Sequence, residues 1–123
     1  MTKSFLLVAL AAAILPAQAQ AADAAAGKAV FGSFCAACHS VDKPAQNKMG
    51  PSLLGVVGRK AGTIAGFNYS KPMKSYGQKW TPAALDLYLT DPKKVVPGTL
   101  MTFRGLSNPE ARANLIAYLA SAN

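Results

Sequence analysis

Both cysteines of the chain and its single histidine fall within five consecutive residues, Cys35-Ala36-Ala37-Cys38-His39. On a helical turn, positions three and four apart share a face, so both thiols and the imidazole can address one flat ligand from one side. C-x-x-C-H is the attachment signature of a c-type haem. In that reading Cys35 and Cys38 hold one covalent haem c as thioethers, and His39 offers a neutral nitrogen to its iron. Other uses of the same residues compete at this point. The two thiols could pair as a disulfide, or C-x-x-C could be a thioredoxin-like redox pair, which belongs in a βαβ context. A closed zinc site needs four ligands, and no further cysteine or histidine exists to complete one.

The elements that must position this stretch follow from hydrophobic spacing. Gly27, Val30, Phe31 and Phe34 recur three and four residues apart, which predicts an amphipathic helix running into the motif. Gly27 and Gly32 are poor helix formers, so close packing against another helix is expected of at least one. Residues 40–49 are polar and include Pro44 and Asn47, which reads as a surface loop. The glycine-rich apolar stretch from Gly50-Pro51 to Gly62 suits neither a long helix nor a regular strand, and fits backbone wrapped closely over something flat. Ser70 to Gly77 reads as a short capped helix, and Thr81-Pro82 opens another with Leu85, Leu87, Tyr88 and Leu89 as its apolar bulk. Lys93 to Met101 reads as a second break-rich loop. Ser107 or Asn108 then caps a final helix whose Leu115, Ile116 and Leu119 line one side. Nothing alternates with strand period, so the fold class is all-α with long loops.

Residues 1–22 are a different kind of sequence. Lys3 precedes the apolar run from Phe5 to Leu15, Pro16 breaks it, and small-residue A-x-A sites follow at 17–19 and 19–21. This is the pattern of a cleaved secretory signal peptide, and the run is shorter than a membrane span needs. Residues 23–123 are then one small domain. The chain has 13 basic and 5 acidic side chains, and losing Lys3 still leaves a net charge near +7. Such a balance points to an acidic partner or an anionic membrane surface, while an exported chain without a nucleic-acid motif argues against nucleic acid.

The sequence resembles the class I cytochromes c, of the mitochondrial and short bacterial periplasmic type. The resemblance runs through Gly27 and Phe31, residues 35–39, Gly50-Pro51, Gly58-Arg59-Lys60, Gly66-Phe67-x-Tyr69, Trp80, Tyr88, Asp91-Pro92-Lys93-Lys94, Pro97-Gly98-Thr99-x-Met101-x-Phe103 and Leu115 to Leu119. It implies three main helices plus short ones and long loops around one covalently attached haem. It also implies that Met101 is the second axial ligand, a soft thioether that favours reduced iron. By the same likeness the Pro51 carbonyl accepts the other His39 N–H, and Arg59, Tyr69 and Trp80 hydrogen-bond the propionates. Tyr88 and Thr99 stand on the methionine side, Phe103 packs near the exposed haem edge, and Gly27 and Phe31 meet Leu115 and Tyr118 where the terminal helices cross. Met49 and Met73 read as adaptable core filler.

Two departures bear on docking. Phe34 and Leu100 replace lysines that ring the haem edge in mitochondrial relatives, so by position Lys48, Lys93, Lys94 and Arg104 are what remains of that ring. Met73 takes the place of a buried asparagine. An iron closed on both sides can only change oxidation state, so the implied function is a soluble, monomeric one-electron carrier, not an enzyme. It would shuttle between acidic surfaces such as an oxidase, a cytochrome bc complex or a reaction centre, in a periplasmic setting, respiratory or photosynthetic. The competing readings are a small haem peroxidase or ligand sensor with a displaceable methionine, or a fixed haem subunit of a larger complex.

Overall fold

The computed structural model describes residues 11–15 and 21–123. Most of the 1–22 leader lies outside the described residues. Within it, residues 11–15 form no regular element, and Ile14 and Leu15 are exposed.

The fold is all-α, with five helices among the described residues: α1 (Ala24–Phe34), α2 (Lys71–Tyr76), α3 (Pro82–Thr90), α4 (Pro92–Val95) and α5 (Pro109–Ser121). Every start carries a side chain that satisfies an otherwise orphaned backbone N–H. Asp23 accepts from Ala25 and Ala26, Ser70 from Met73, Thr81 from Ala84, Asp91 from Lys94, and Asn108 from Ala111. Between Ser107 and Asn108, the cap of α5 is therefore Asn108. Proline stands in the first turn of α2 to α5, where its missing N–H costs nothing.

The main tertiary contact is the crossing of α1 on α5. Gly27 makes it possible, because a Cβ there would run into the Asn114 backbone carbonyl and lie 2.8 Å from the Cβ of Tyr118. Gly32, by contrast, faces open space. One turn on from Gly27, the Phe31 ring lies 5.5 Å from that of Tyr118 at a tilt of 58°. Asn114 also accepts from the backbone N–H of Asp23 at 2.8 Å, which ties the start of α1 to the middle of α5. The core continues through Leu115, Ile116 and Leu119 to Leu85, Tyr88 and Leu89 of α3.

Three sequence expectations need correcting. The segment after Asp91 is not all loop: Asp91 caps Pro92–Val95 into one helical turn, which the Asp-Pro pair favours. Leu87 does not serve as bulk for α3, since it stands on the outer face, 66% exposed. Met49 is not core filler, since it is 83% exposed and lies with its sulfur 3.8 Å from Cys38 Sγ.

One interaction escaped the sequence reading altogether. Arg112 on α5 is buried and donates from Nε to Asp86 Oδ1 at 2.8 Å. Its Nη1 donates to the carbonyls of Leu106 and Ser107 at 2.8 and 3.1 Å. Leu106 in turn donates its N–H to Leu89 O. The segment that returns from the 96–103 loop is thus clamped onto α3 and α5.

Candidate haem site

Helix α1 ends at Phe34, yet its hydrogen bonding carries on for one more turn. Cys35 and Ala36 donate to Phe31 O, while Cys38 and His39 donate to Cys35 O at 3.1 and 2.9 Å. Those last two bonds span three and four residues, the spacing that brings both sulfurs and the imidazole to one side. All three side chains line one cavity of about 570 Å³, inside the usual size range of a cofactor pocket.

His39 is held in one orientation. Its Nδ1 lies 2.7 Å from the Pro51 carbonyl, which can only accept, so Nδ1 carries the proton and Nε2 keeps a free lone pair. Gly50 sits so close that any Cβ there would collide with the ring. Burial lowers the His39 pKa, the Pro51 bond works against that, and the nearby Lys48 charge adds to it. The imidazole is therefore neutral and able to coordinate. Burial pushes the Cys35 thiol up to about 11, so it is an uncharged S–H, and both cysteines are free.

Met101 lines the same cavity from the 96–103 loop. Its loop is shaped by a Thr99 N–H to Val96 O turn of 3.0 Å, and Thr99 Oγ1 accepts from the Met101 N–H at 3.3 Å. Burial raises the pKa of the Tyr88 hydroxyl, with its hydrogen bond to Thr99 pulling the other way. Between these walls stand Tyr69, Met73, Trp80, Phe67 and Phe103, with Leu85 and Leu115 at the back. The lining includes no Asp, Glu, Lys or Arg.

Trp80 is set by paired backbone. The 58–61 and 78–80 segments exchange hydrogen bonds around a Lys60–Lys79 bridge, including Gly58 N–H to Trp80 O and Trp80 N–H to Arg59 O. This extended pairing has no counterpart in the sequence reading because it is too short to show alternation. The Trp80 ring then stacks between Tyr76 and Tyr88, at 5.1 and 4.8 Å.

Five site residues singled out in the sequence stand apart from the cavity wall. Arg59 spends two guanidinium donors on carbonyls, Nη1 on Leu54 O and Nη2 on Ser52 O, both at 2.9 Å. It braces the glycine-rich loop behind the lining. Lys48 donates its Nζ to Ala36 O at 2.7 Å, across the cysteine turn. Lys93, Lys94 and Arg104 are not among the lining residues.

The residues present fit a c-type haem: an apolar slot, two thiols and an oriented imidazole on one wall, and a thioether sulfur on another. No group of three His, Cys, Asp or Glu side chains able to hold a bare metal ion occurs among the described residues. No helix of the described residues is long and apolar enough to cross a membrane.

Comparison with known proteins agrees. The family model described as Cytochrome c matches residues 24–123. The chain is 50% identical over 103 residues to cytochrome c of Guizotia abyssinica, covering 84% of this chain and 93% of that one. Against cytochrome c of Nigella damascena it is 45% identical over 102 residues, covering 83% and 92%. A bacterial relative, the cytochrome c-type cyt cy of Rhodobacter capsulatus, is 50% identical over 97 residues, 79% of this chain and 48% of the relative.

Proposed function

The chain belongs to the cytochrome c family, whose cofactor is covalent haem c, and from that premise we propose that it carries single electrons between larger redox complexes after export. The observation that carries this reading is the one cavity on which Cys35, Cys38, His39 and Met101 converge. The bound haem supplies a one-electron iron couple.

The chain's residues do the rest. Cys35 and Cys38 would hold the cofactor covalently through their two sulfurs. His39 would offer Nε2 to the iron, with the Pro51 carbonyl fixing the tautomer and raising the basicity of the ring. Met101, which lines the same cavity, would supply a thioether ligand, and such a ligand raises the reduction potential. Tyr69 and Trp80, in the cavity lining, would hydrogen-bond the propionates, and Arg59 would support them through the loop it braces. The apolar wall would shield the bound group from water, so little solvent would have to rearrange when its charge changes.

Residues 1–22 are the exported leader, a boundary supported by Asp23, which both caps α1 and bonds Asn114. The partners are acidic surfaces, as an oxidase or a cytochrome bc complex would offer, because net basic charge steers encounter through long-range attraction. An absorption spectrum and redox titration of protein matured in a bacterial periplasm test the whole reading. Haem that stays with the polypeptide on a denaturing gel, a low-spin spectrum and a reversible one-electron wave are expected. A high-spin ferric form that binds cyanide readily would overturn it in favour of a peroxidase or sensor.

A further inference from the structure

The four methionines of the chain stand in unlike places. Met1 opens the leader, while Met73 and Met101 are half-buried and packed against the core. Among the described residues, Met49 alone presents its thioether to solvent, with 83% of its surface exposed.

That exposure is combined with a fixed position. Both neighbours of Met49 are tied to the turn that carries the cysteines: Lys48 donates its Nζ to Ala36 O at 2.7 Å, and the Gly50 N–H donates to Cys38 O at 2.8 Å. The Lys48 N–H also donates to Gly50 O at 2.9 Å, which closes a tight loop with Met49 at its centre. The Met49 sulfur is thereby held 3.8 Å from Cys38 Sγ. Its surroundings are apolar. Phe34 and Leu100, also exposed, share the mouth of the cavity with it, and no charged side chain lines that cavity.

An exposed thioether takes an oxygen atom from peroxide, and the resulting sulfoxide is polar and can be reduced back. The O–O bond of hydrogen peroxide breaks, one oxygen forms the S=O bond, and the sulfur gives up two electrons. The other oxygen leaves as water with both peroxide protons.

We propose that Met49 is a reversible oxidation site for hydrogen peroxide, and that its sulfoxide lowers the reduction potential of the bound cofactor. This rests on the electron-carrier reading and deepens it with a means of regulation. Because the loop is tethered on both sides of Met49, the new dipole and the water it attracts stay beside Cys38. Oxidised iron carries one more positive charge than reduced iron, and a wetter, more polar surround favours the more charged form. Met101 is protected by its burial and, with the cofactor bound, would have the attacked lone pair engaged in coordination.

The test exposes the ferric holoprotein briefly to hydrogen peroxide, stops the reaction with catalase, locates the added oxygen by mass spectrometry of proteolytic peptides, and titrates the potential. The peptide with Met49 should gain one oxygen before those with Met73 or Met101. The midpoint should move downward while the methionine-ligated spectrum persists, and the two methionine sulfoxide reductases, one for each epimer, should reverse both changes. Met49→Gln, polar without peroxide, should move the midpoint the same way. In Met49→Leu the same exposure should leave that variant's own midpoint unmoved. A first oxygen on Met73 or Met101 would overturn the site. Met49 sulfoxide with an unmoved midpoint would overturn the regulation. Either result leaves the carrier reading standing. Absence of a reversible one-electron wave in the untreated protein would remove the carrier reading, and with it the regulation, before any peroxide is added.

Discussion

The two walls of the cavity that carry the proposed iron ligands are built in opposite ways. The wall with Cys35, Cys38 and His39 is local: it continues the hydrogen bonding of α1, and its imidazole is fixed by Gly50 and Pro51, eleven and twelve residues on. The wall with Met101 is assembled from a distance. Its loop is a turn held by Val96 and Thr99, steadied by Tyr88 on α3 and anchored behind by Arg112 on α5.

That contrast can be broken from either side, and the largest effect belongs to the local wall. Changing Cys35 and Cys38 together to Ala should abolish covalent haem, read as loss of haem stain on a denaturing gel. Met101→Ala should leave covalent haem in place while the low-spin, methionine-ligated spectrum disappears and the potential falls. A variant that kept that spectrum would show that the second ligand comes from elsewhere.

Smaller effects sharpen the picture of the assembled wall. Arg112→Ala leaves the Leu106 and Ser107 carbonyls without their donor and should cost about 1–3 kcal/mol in urea denaturation. Asp86→Asn should cost under about 1 kcal/mol, since its carboxylate is half exposed. The smallest effect concerns pH. The Tyr88 hydroxyl is raised above its ordinary value near 10.0, chiefly by burial. A group with a raised folded-state pKa contributes stability that is fully present below its unfolded value and is lost as pH rises through the folded one. Tyr88→Phe lacks that contribution, so its denaturation midpoint should fall less steeply than the parent's above about pH 10.

The helices were legible because their caps are local chemistry. Asp23, Ser70, Thr81 and Asn108 each satisfy backbone donors within three residues, and Pro at the first turn marks the last three of these starts. The helical turn in 91–95 was hidden because it is shorter than any hydrophobic period, and the paired backbone at Trp80 was hidden for the same reason. Met49 and Leu87 show the limit of composition. An apolar side chain fits a core or a surface equally in sequence, and only packing decides which.

What the sequence by itself determined is the wall whose geometry is one helical turn: Cys35, Cys38 and His39 must face the same way because backbone hydrogen bonding over three and four residues leaves no alternative. It also determined that a cofactor of the c-type fits those residues. Only the tertiary structure decided which groups surround it. Arg59 turns to the Ser52 and Leu54 carbonyls, Arg112 is drawn into the interior by Asp86 and two carbonyls, and Phe34, Met49 and Leu100 meet at the cavity mouth. Those outcomes depend on segments far apart in the chain competing for the same space and the same hydrogen-bond partners, which no local pattern encodes.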